Sequence, residues 1–431
     1  MIIRLPSKAH RAALVAVSFS VFLIFSYLSM RNALAVYYSG LQTAESLDRA
    51  AHLEPADPQN WYLLGRYRQL DLKDPDVGLA IRDFLTALSL NPVSWQTWLD
   101  LAAAYESESN VSAARDAYLH AKKAYPVSPE VSWQYGNFLL RQRELKPAFA
   151  EMRRAVETDP KYGSEAFSLS LRVEHNLGEI LDHVIPPISE VYVAVIADQI
   201  ADGQTDIALQ VWDRLVALRP RLSLRNVYPL IGALRKSGRS TDARRVWEQA
   251  VGFGGLAAIE DPPGSVLWDG GFESRVTGGG YSWFFPEGAR NVQISFDPEE
   301  RHSGNYSLRL IFDGKSIVTS TDICHYIPVL PSTAYAFSAW FKTRAVTTDQ
   351  GLRFQLRSVG TLDSSAAVTP ELHGTEPWTR VEILWSSGRD VQEVQACLVR
   401  FLSDQLENKI KGTTWIDDVA LVPAAAEHSK P

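Results

Sequence analysis

The sequence predicts a multidomain chain with an N-terminal transmembrane helix, an α-helical repeat solenoid and a C-terminal antiparallel β-sandwich of jelly-roll type. Three observations carry this expectation: an uncharged apolar run near the N-terminus, a recurrence of small and aromatic residues about every 34 positions, and a change to period two past residue 264. At 431 residues the chain is too long for one hydrophobic core. A net charge of -7 offers no basic surplus for neutralising phosphates, which argues against nucleic acid as a partner. With 46% hydrophobic and 22% charged residues, neither a disordered chain nor a polytopic membrane protein fits. Two cysteines are too few for a disulfide-stapled scaffold or a cysteine-ligated zinc site. Twelve tryptophans have two explanations, repeat packing or stacking platforms for a flat ligand.

Residues Ala12 to Met30 carry no charge and, as a helix, rise about 28 Å, close to the ~30 Å hydrocarbon core of a bilayer. Arg4, Lys8 and Arg11 precede the run without an acidic neighbour, whereas Glu45 and Asp48 follow it. The positive-inside bias therefore predicts a single-pass protein of a bacterial inner membrane, N-terminus cytoplasmic and bulk periplasmic or otherwise extracytoplasmic. Ala33-Leu34-Ala35 also suits a signal peptidase, so cleavage is a second reading; the length of the apolar run and the intervening Arg31 favour retention.

From residue 57 the small residues fall into register. Trp98, Leu101, Ala102, Tyr105, Ala114, Tyr118, Ala121 and Pro126 are followed one period later by Ser132, Tyr135, Gly136, Leu139, Ala148, Met152, Ala155 and Pro160. Trp61, Leu64, Gly65, Ala80, Phe84, Ala87 and Pro92 form an earlier copy with an insertion near Asp71 to Asp76. Ala208, Trp212, Leu215 and Pro220, then Ala243, Trp247 and Ala250, mark later ones. Such spacing describes helical hairpins whose small residues admit a neighbouring helix while an aromatic fills the remaining gap. Residues 57–252 resemble the tetratricopeptide repeat family, which implies a protein or peptide partner in a concave groove. Trp61, Trp98, Trp212 and Trp247 read as packing residues, and Arg66, Arg68, Arg141 and Arg143 as a solvated helix face.

Residues 253–264 gather Gly254, Gly255, Pro262, Pro263 and Gly264 and read as a linker. Beyond them, strands are expected over 306–312, 323–330, 335–343, 352–357, 381–385, 394–401 and 415–421. The motifs Asp269-Gly270-Gly271-Phe272-Glu273, Ser303-Gly304-Asn305-Tyr306-Ser307-Leu308, Tyr335 to Thr343, Pro377-Trp378 and Trp415-Ile416-Asp417-Asp418-Val419 follow in order. They resemble carbohydrate-binding modules of families 4 and 9, among the galactose-binding-like sandwiches, over about 265–423. The remaining boundaries are 1–31 for the cytoplasmic stub and anchor, 32–56 for a juxtamembrane helical segment and 424–431 for a tail.

The resemblance implies polysaccharide bound by aromatic rings and polar side chains. Tyr281, Trp283, Phe284 and Phe285, beside Gly278-Gly279-Gly280, are the expected exposed platform. Arg353, Gln355 and Arg357 alternate with Leu352, Phe354 and Leu356, so their face suits hydrogen bonds to sugar hydroxyls or is a solvated sheet face. Trp340, Trp378 and Trp415 read as core. The resemblance further implies a structural calcium held by Glu273 and by Asp417 or Asp418. Cys324 and Cys397 fall in expected strands of an exported domain, where a disulfide and two small buried thiols are both open. His302 and His325 read as surface residues of a loop and a strand. No H-E-x-x-H, G-x-S-x-G, P-loop or dinucleotide fingerprint is found, so a non-enzymatic protein is expected.

Overall fold

The computed structural model describes residues 7–71, 75–253, 259, 261–285, 292–360 and 366–424. Its chain divides into two compact units, Met1–Val191 and Tyr192–Pro431. The first unit is helical. The second opens in a helix that crosses the division, continues through further helices and ends in an antiparallel sandwich.

Helix α1, Lys8–Gly40, is the described helix long and apolar enough to cross a membrane. Its 33 residues span about 50 Å, more than a bilayer core requires. The excess has a use. Beyond Met30 the helix continues unbroken to Gly40 and turns into α2, Ala44–Leu53, whose start is fixed by a capping box between Thr43 and Ser46. Arg31 reaches forward to Glu54 with two guanidinium nitrogens, the shorter contact being 2.9 Å, and Ala35 is buried. The apolar run and residues 32–40 of the segment after it are thus one helix, and α2 is a second one folded back against it.

Three hairpins follow: α3 (Pro58–Leu70) with α4 (Val77–Leu90), α5 (Trp95–Ser107) with α6 (Val111–Ala124), and α7 (Pro129–Arg141) with α8 (Leu145–Thr158). Each first helix brings a small residue against the second. A Cβ on Gly65 would lie 2.8 Å from the Phe84 ring, and one on Gly136 would lie 3.1 Å from Met152. Ala102 and Tyr118 occupy the corresponding places, both buried. The motif tryptophans also tie hairpins to the turns before them: Trp61 Nε1 donates to the Pro55 carbonyl and Trp98 Nε1 to that of Pro92. Trp95 packs on Tyr125 and Trp133 on Tyr162, so these too are packing residues. Two shorter helices come next, α9 (Gly163–Leu171) and α10 (Leu177–His183).

Helix α11, Ser189–Ala201, crosses the division between the units. Then come α12 (Thr205–Ala217), α13 (Tyr228–Lys236) and α14 (Ser240–Phe253). Half of the glycine and proline stretch expected as a linker, residues 254–258 and 260, lies outside the described residues. Its described end is anchored, because Asp261 accepts hydrogen bonds from the Asp269 and Gly270 amides.

All seven expected strands form, together with three short or shifted ones. In chain order they are β1 Trp283–Phe284, β2 Val292–Asp297, β3 Ser307–Ile317, β4 Ser320–Pro328, β5 Ala334–Val346, β6 Arg353–Ser358, β7 Ala366–Val368, β8 Gly374–Ser386, β9 Glu393–Val399 and β10 Lys409–Pro423. They make two five-stranded sheets, β1-β4-β9-β6-β7 and β2-β3-β10-β5-β8, with every named pair antiparallel. Period-two alternation sends Phe354, Leu356, Ala396 and Leu398 of the first sheet against Leu308, Leu310, Phe337 and Phe341 of the second, forming the core. Cys324 and Cys397 stand directly opposite each other on β4 and β9 and are joined by a disulfide.

In an ordinary helix, replacing glycine by alanine stabilises by about 1 kcal/mol. At Gly65 the Phe84 ring reverses the sign: Gly65→Ala is expected to cost about 1–3 kcal/mol through overpacking. Thermal melting followed by circular dichroism checks this, with Gly232→Ala, whose added methyl meets nothing within 4 Å, as the control that does not lose stability.

Candidate functional site

The glycine-rich loop proves to be a socket. A Cβ on Gly279 would lie 2.0 Å from the Tyr228 ring, and one on Gly280, whose φ is +62°, would lie 2.4 Å from Trp247. Two rings from α13 and α14 therefore rest on bare backbone. Trp247 meets Trp268 edge-on at 5.0 Å and Tyr281 edge-on at 6.3 Å. Beside them Arg235 of α13 grips Glu393 of β9 with two bonds of 2.6 and 2.8 Å, both side chains being largely buried. The same guanidinium lies 3.8 Å from the centre of the Tyr326 ring.

This packing corrects the expected platform. Tyr281 and Trp283 are each 1% exposed. Trp283 Nε1 donates to the Asp269 carbonyl, and its ring stacks on Phe272. Phe284 is half-buried, edge-on to Tyr326, and Phe285 packs on the core beside Phe296. The motif around Asp269 is structural for a similar reason: a Cβ on Gly270 would lie 1.8 Å from the Val419 carbonyl oxygen. His325 is fully buried rather than on the surface, its Nε2 3.0 Å from the Trp268 carbonyl, and burial pushes its pKa down to about 4.

Of the three alternating polar residues, the structure separates one from two. Arg353 is committed: it bonds Gln350, pairs with Glu371 at 3.0 Å and lies over Phe401. Gln355 and Arg357, with Gln395, Asp322, the Cys324–Cys397 disulfide and Phe401, line a cleft of about 560 Å³ on the outer face of β4, β9 and β6. Arg357 is exposed and forms no ion pair among the described residues. Sequence reasoning missed Gln395 and Phe401; outward alternation on β9 would have found the first.

A wider cleft of about 800 Å³ lies on the other sheet, lined by Ser338, Trp340, Arg380 and Asp418. Trp340 is half-buried there, with one indole face covered by His302, which stacks on it at 3.8 Å and has Trp378 edge-on to its imidazole. Trp415 is buried, its Nε1 bonded to Asp297. Among the described residues the sandwich presents no exposed tryptophan.

The residues that the resemblance assigns to calcium gather around Gly271, from whose Cβ position Glu273, Asp417 and Asp418 stand 3.7–3.9 Å away. Their oxygens are engaged. Asp417 accepts the amides of His302, Ser303 and Asp418; Asp418 meets the His302 ring and the Ser303 hydroxyl; Glu273 accepts the amides of Asn305 and Tyr306. Among the described residues no three His, Cys, Asp or Glu side chains converge as a metal-binding group. Charge is still in excess: burial, then Asp418, push Asp417 up to about 7 against the pull of three amides.

In the helical unit, a cavity of about 750 Å³ lies between α8 and α10, with Leu145, Phe149 and Ala150 on one wall and Glu179 and His183 on another.

Because the folded state raises the Asp417 pKa, its contribution to stability is full below the ordinary carboxylate range and is lost as pH rises through about 7. Asp269, raised to about 6 by burial, acts in the same direction. His325, whose lowered pKa makes stability rise with pH up to about 6.5, acts in the opposite direction, so melting temperature is expected to fall between about pH 6.5 and about pH 8, and less in Asp417→Asn. A profile that rises over that window, or one unchanged by the substitution, contradicts the assignment.

No family model and no curated protein matches the chain. Solved structures similar to parts of it include the CBM22-1 xylan-binding domain of Paenibacillus barcinonensis Xyn10C, at 15% identity, covering 33% of this chain and 86% of that one, with a TM-score of 0.25. YrrB, a TPR protein with an unusual peptide-binding site, is 14% identical, covering 50% of this chain and 95% of that one, at 0.26. MamA of Desulfovibrio magneticus RS-1 is 19% identical, covering 35% and 93%, at 0.30.

Proposed function

We propose that this protein is a non-enzymatic, membrane-anchored scaffold of the bacterial envelope. Its helical repeats bind protein or peptide partners, and its sandwich contacts cell-surface polysaccharide during assembly or export. The observation that carries the glycan part is the cleft on the outer face of β4, β9 and β6. Gln355 and Gln395 each offer a donor and an acceptor, Arg357 a guanidinium with no ion pair among the described residues, and Phe401 a partly exposed ring for the C–H face of a sugar. The Cys324–Cys397 disulfide favours an oxidising compartment, consistent with α1 keeping the chain outside the cytoplasm. The cavity beside Phe149 is the place in the repeats that best suits an apolar anchor of a partner.

A second reading, in which the sandwich is a structural cap for the last helical hairpin, is favoured by the burial of Trp283 and Tyr281. Glycan arrays probed with residues 192–431 separate the two. The first reading expects binding that Gln355→Ala with Arg357→Ala weakens by about tenfold or more, without loss of melting temperature. No binding to any polysaccharide leaves the cap.

Calcium enters the proposal through charge. Among the described residues, His302 is the one basic side chain paired with the Asp417–Asp418 couple. A bound Ca²⁺ is expected to raise the melting temperature over that in EGTA, and to do so less in Asp418→Asn; equal melting in both removes calcium.

A further inference from the structure

The glycan reading leaves open whether the cleft grips a polymer along its length or at its tip. Its shape bears on that. The lining residues belong to three strands, a width of about 10 Å at roughly 4.8 Å per strand. Along β9 they run from Gln395 through Cys397 and Val399 to Phe401 and Leu402 beyond the strand end. Gln395 to Val399 alone covers about 13 Å at roughly 3.3 Å per residue, so the long axis follows the strands.

One end of that axis is closed. The next outward position on β9 after Gln395 is Glu393, which alternation brings to the same face. Its carboxylate is covered by the bidentate Arg235 of α13. Across the sheet, Tyr326 is the register partner of Gln395, and its ring lies beneath the same guanidinium. The last helical hairpin thus stands as a wall one residue pair beyond the cleft, seated on Gly279 and Gly280. The opposite end is formed by Phe401 and Leu402, 42% and 50% exposed.

Resting on the glycan reading, we propose that the site takes the terminus of a polysaccharide chain, or a free di- or trisaccharide, and not the interior of a long polymer. A chain lying along the cleft with its end against Arg235 fills it; one continuing in that direction meets the hairpin. The hydrogen-bonding set nearest the wall, Gln395 with Arg357, is placed to read the terminal residue.

The test is a length series with the full chain in detergent micelles. Cello-, manno- and β-1,4-galacto-oligosaccharides of two to six residues, and the matching polymers before and after partial endo-hydrolysis, are titrated by calorimetry. The proposal expects affinity that changes by less than about threefold from trimer to hexamer, and polymer capacity that rises as hydrolysis creates ends. Affinity that climbs by more than about tenfold over that range, or capacity that follows polymer mass, overturns the terminus while leaving the glycan reading intact. No binding by any member overturns both. Arg235→Ala is expected to bring back dependence on length; should it fail to fold, the wild-type series alone decides.

Discussion

A single guanidinium group fixes where the last helical hairpin lands on the sandwich. Arg235 is largely removed from water, paired through two bonds with Glu393 and placed over the Tyr326 ring, so its charge meets both a carboxylate and a π face. A buried ion pair of this kind adds little net stability against an apolar substitute, but removing one partner strands the other, at about 3–5 kcal/mol. The pair therefore acts mainly as a register device. It fixes where α13 lands on the sheet, and the aromatic rings of Tyr228 and Trp247 supply the contact area around it.

The same economy explains how the sandwich treats its own polar groups. Asp269, Asp297 and Asp417 are buried carboxylates, and each is surrounded by backbone amides or a tryptophan N–H rather than left to water. They pin the loops that enter and leave the sheets. Burying them raises Asp269 and Asp417 but lowers Asp297, where the Trp415 N–H, two amides and Arg309 outweigh the cost of desolvation. Function is thus a weaker explanation of these residues than architecture.

Much of the fold was legible because it rests on periodicity. The apolar run, the recurring small residues and the alternation of strands each report one face of one element, and all three became α1, the hairpins and the two sheets. The candidate site was less legible. Gln355 and Arg357 were correctly placed on an outward face because alternation alone decides that. Trp283 was misplaced because its surroundings come from Phe272, Asp269 and His325, none of which a local pattern connects to it. The glycine run looked like a loop free to expose its aromatics. Its true reason, two rings arriving from helices more than thirty residues earlier, has no local signature. Arg235 and Glu393, separated by 158 positions, had none either.

The bare backbone at Gly279 and Gly280 also bears on inheritance. Sandwich domains are commonly regarded as portable units that recombine freely with whatever precedes them. Here the sandwich carries an imprint of its neighbour, two positions where any side chain meets the Tyr228 or Trp247 ring. Transplanted behind another repeat array, it exposes a pocket shaped for rings that no longer arrive. The final hairpin and the sandwich are therefore expected to travel through evolution as one piece, whatever happens to the number of repeats before them.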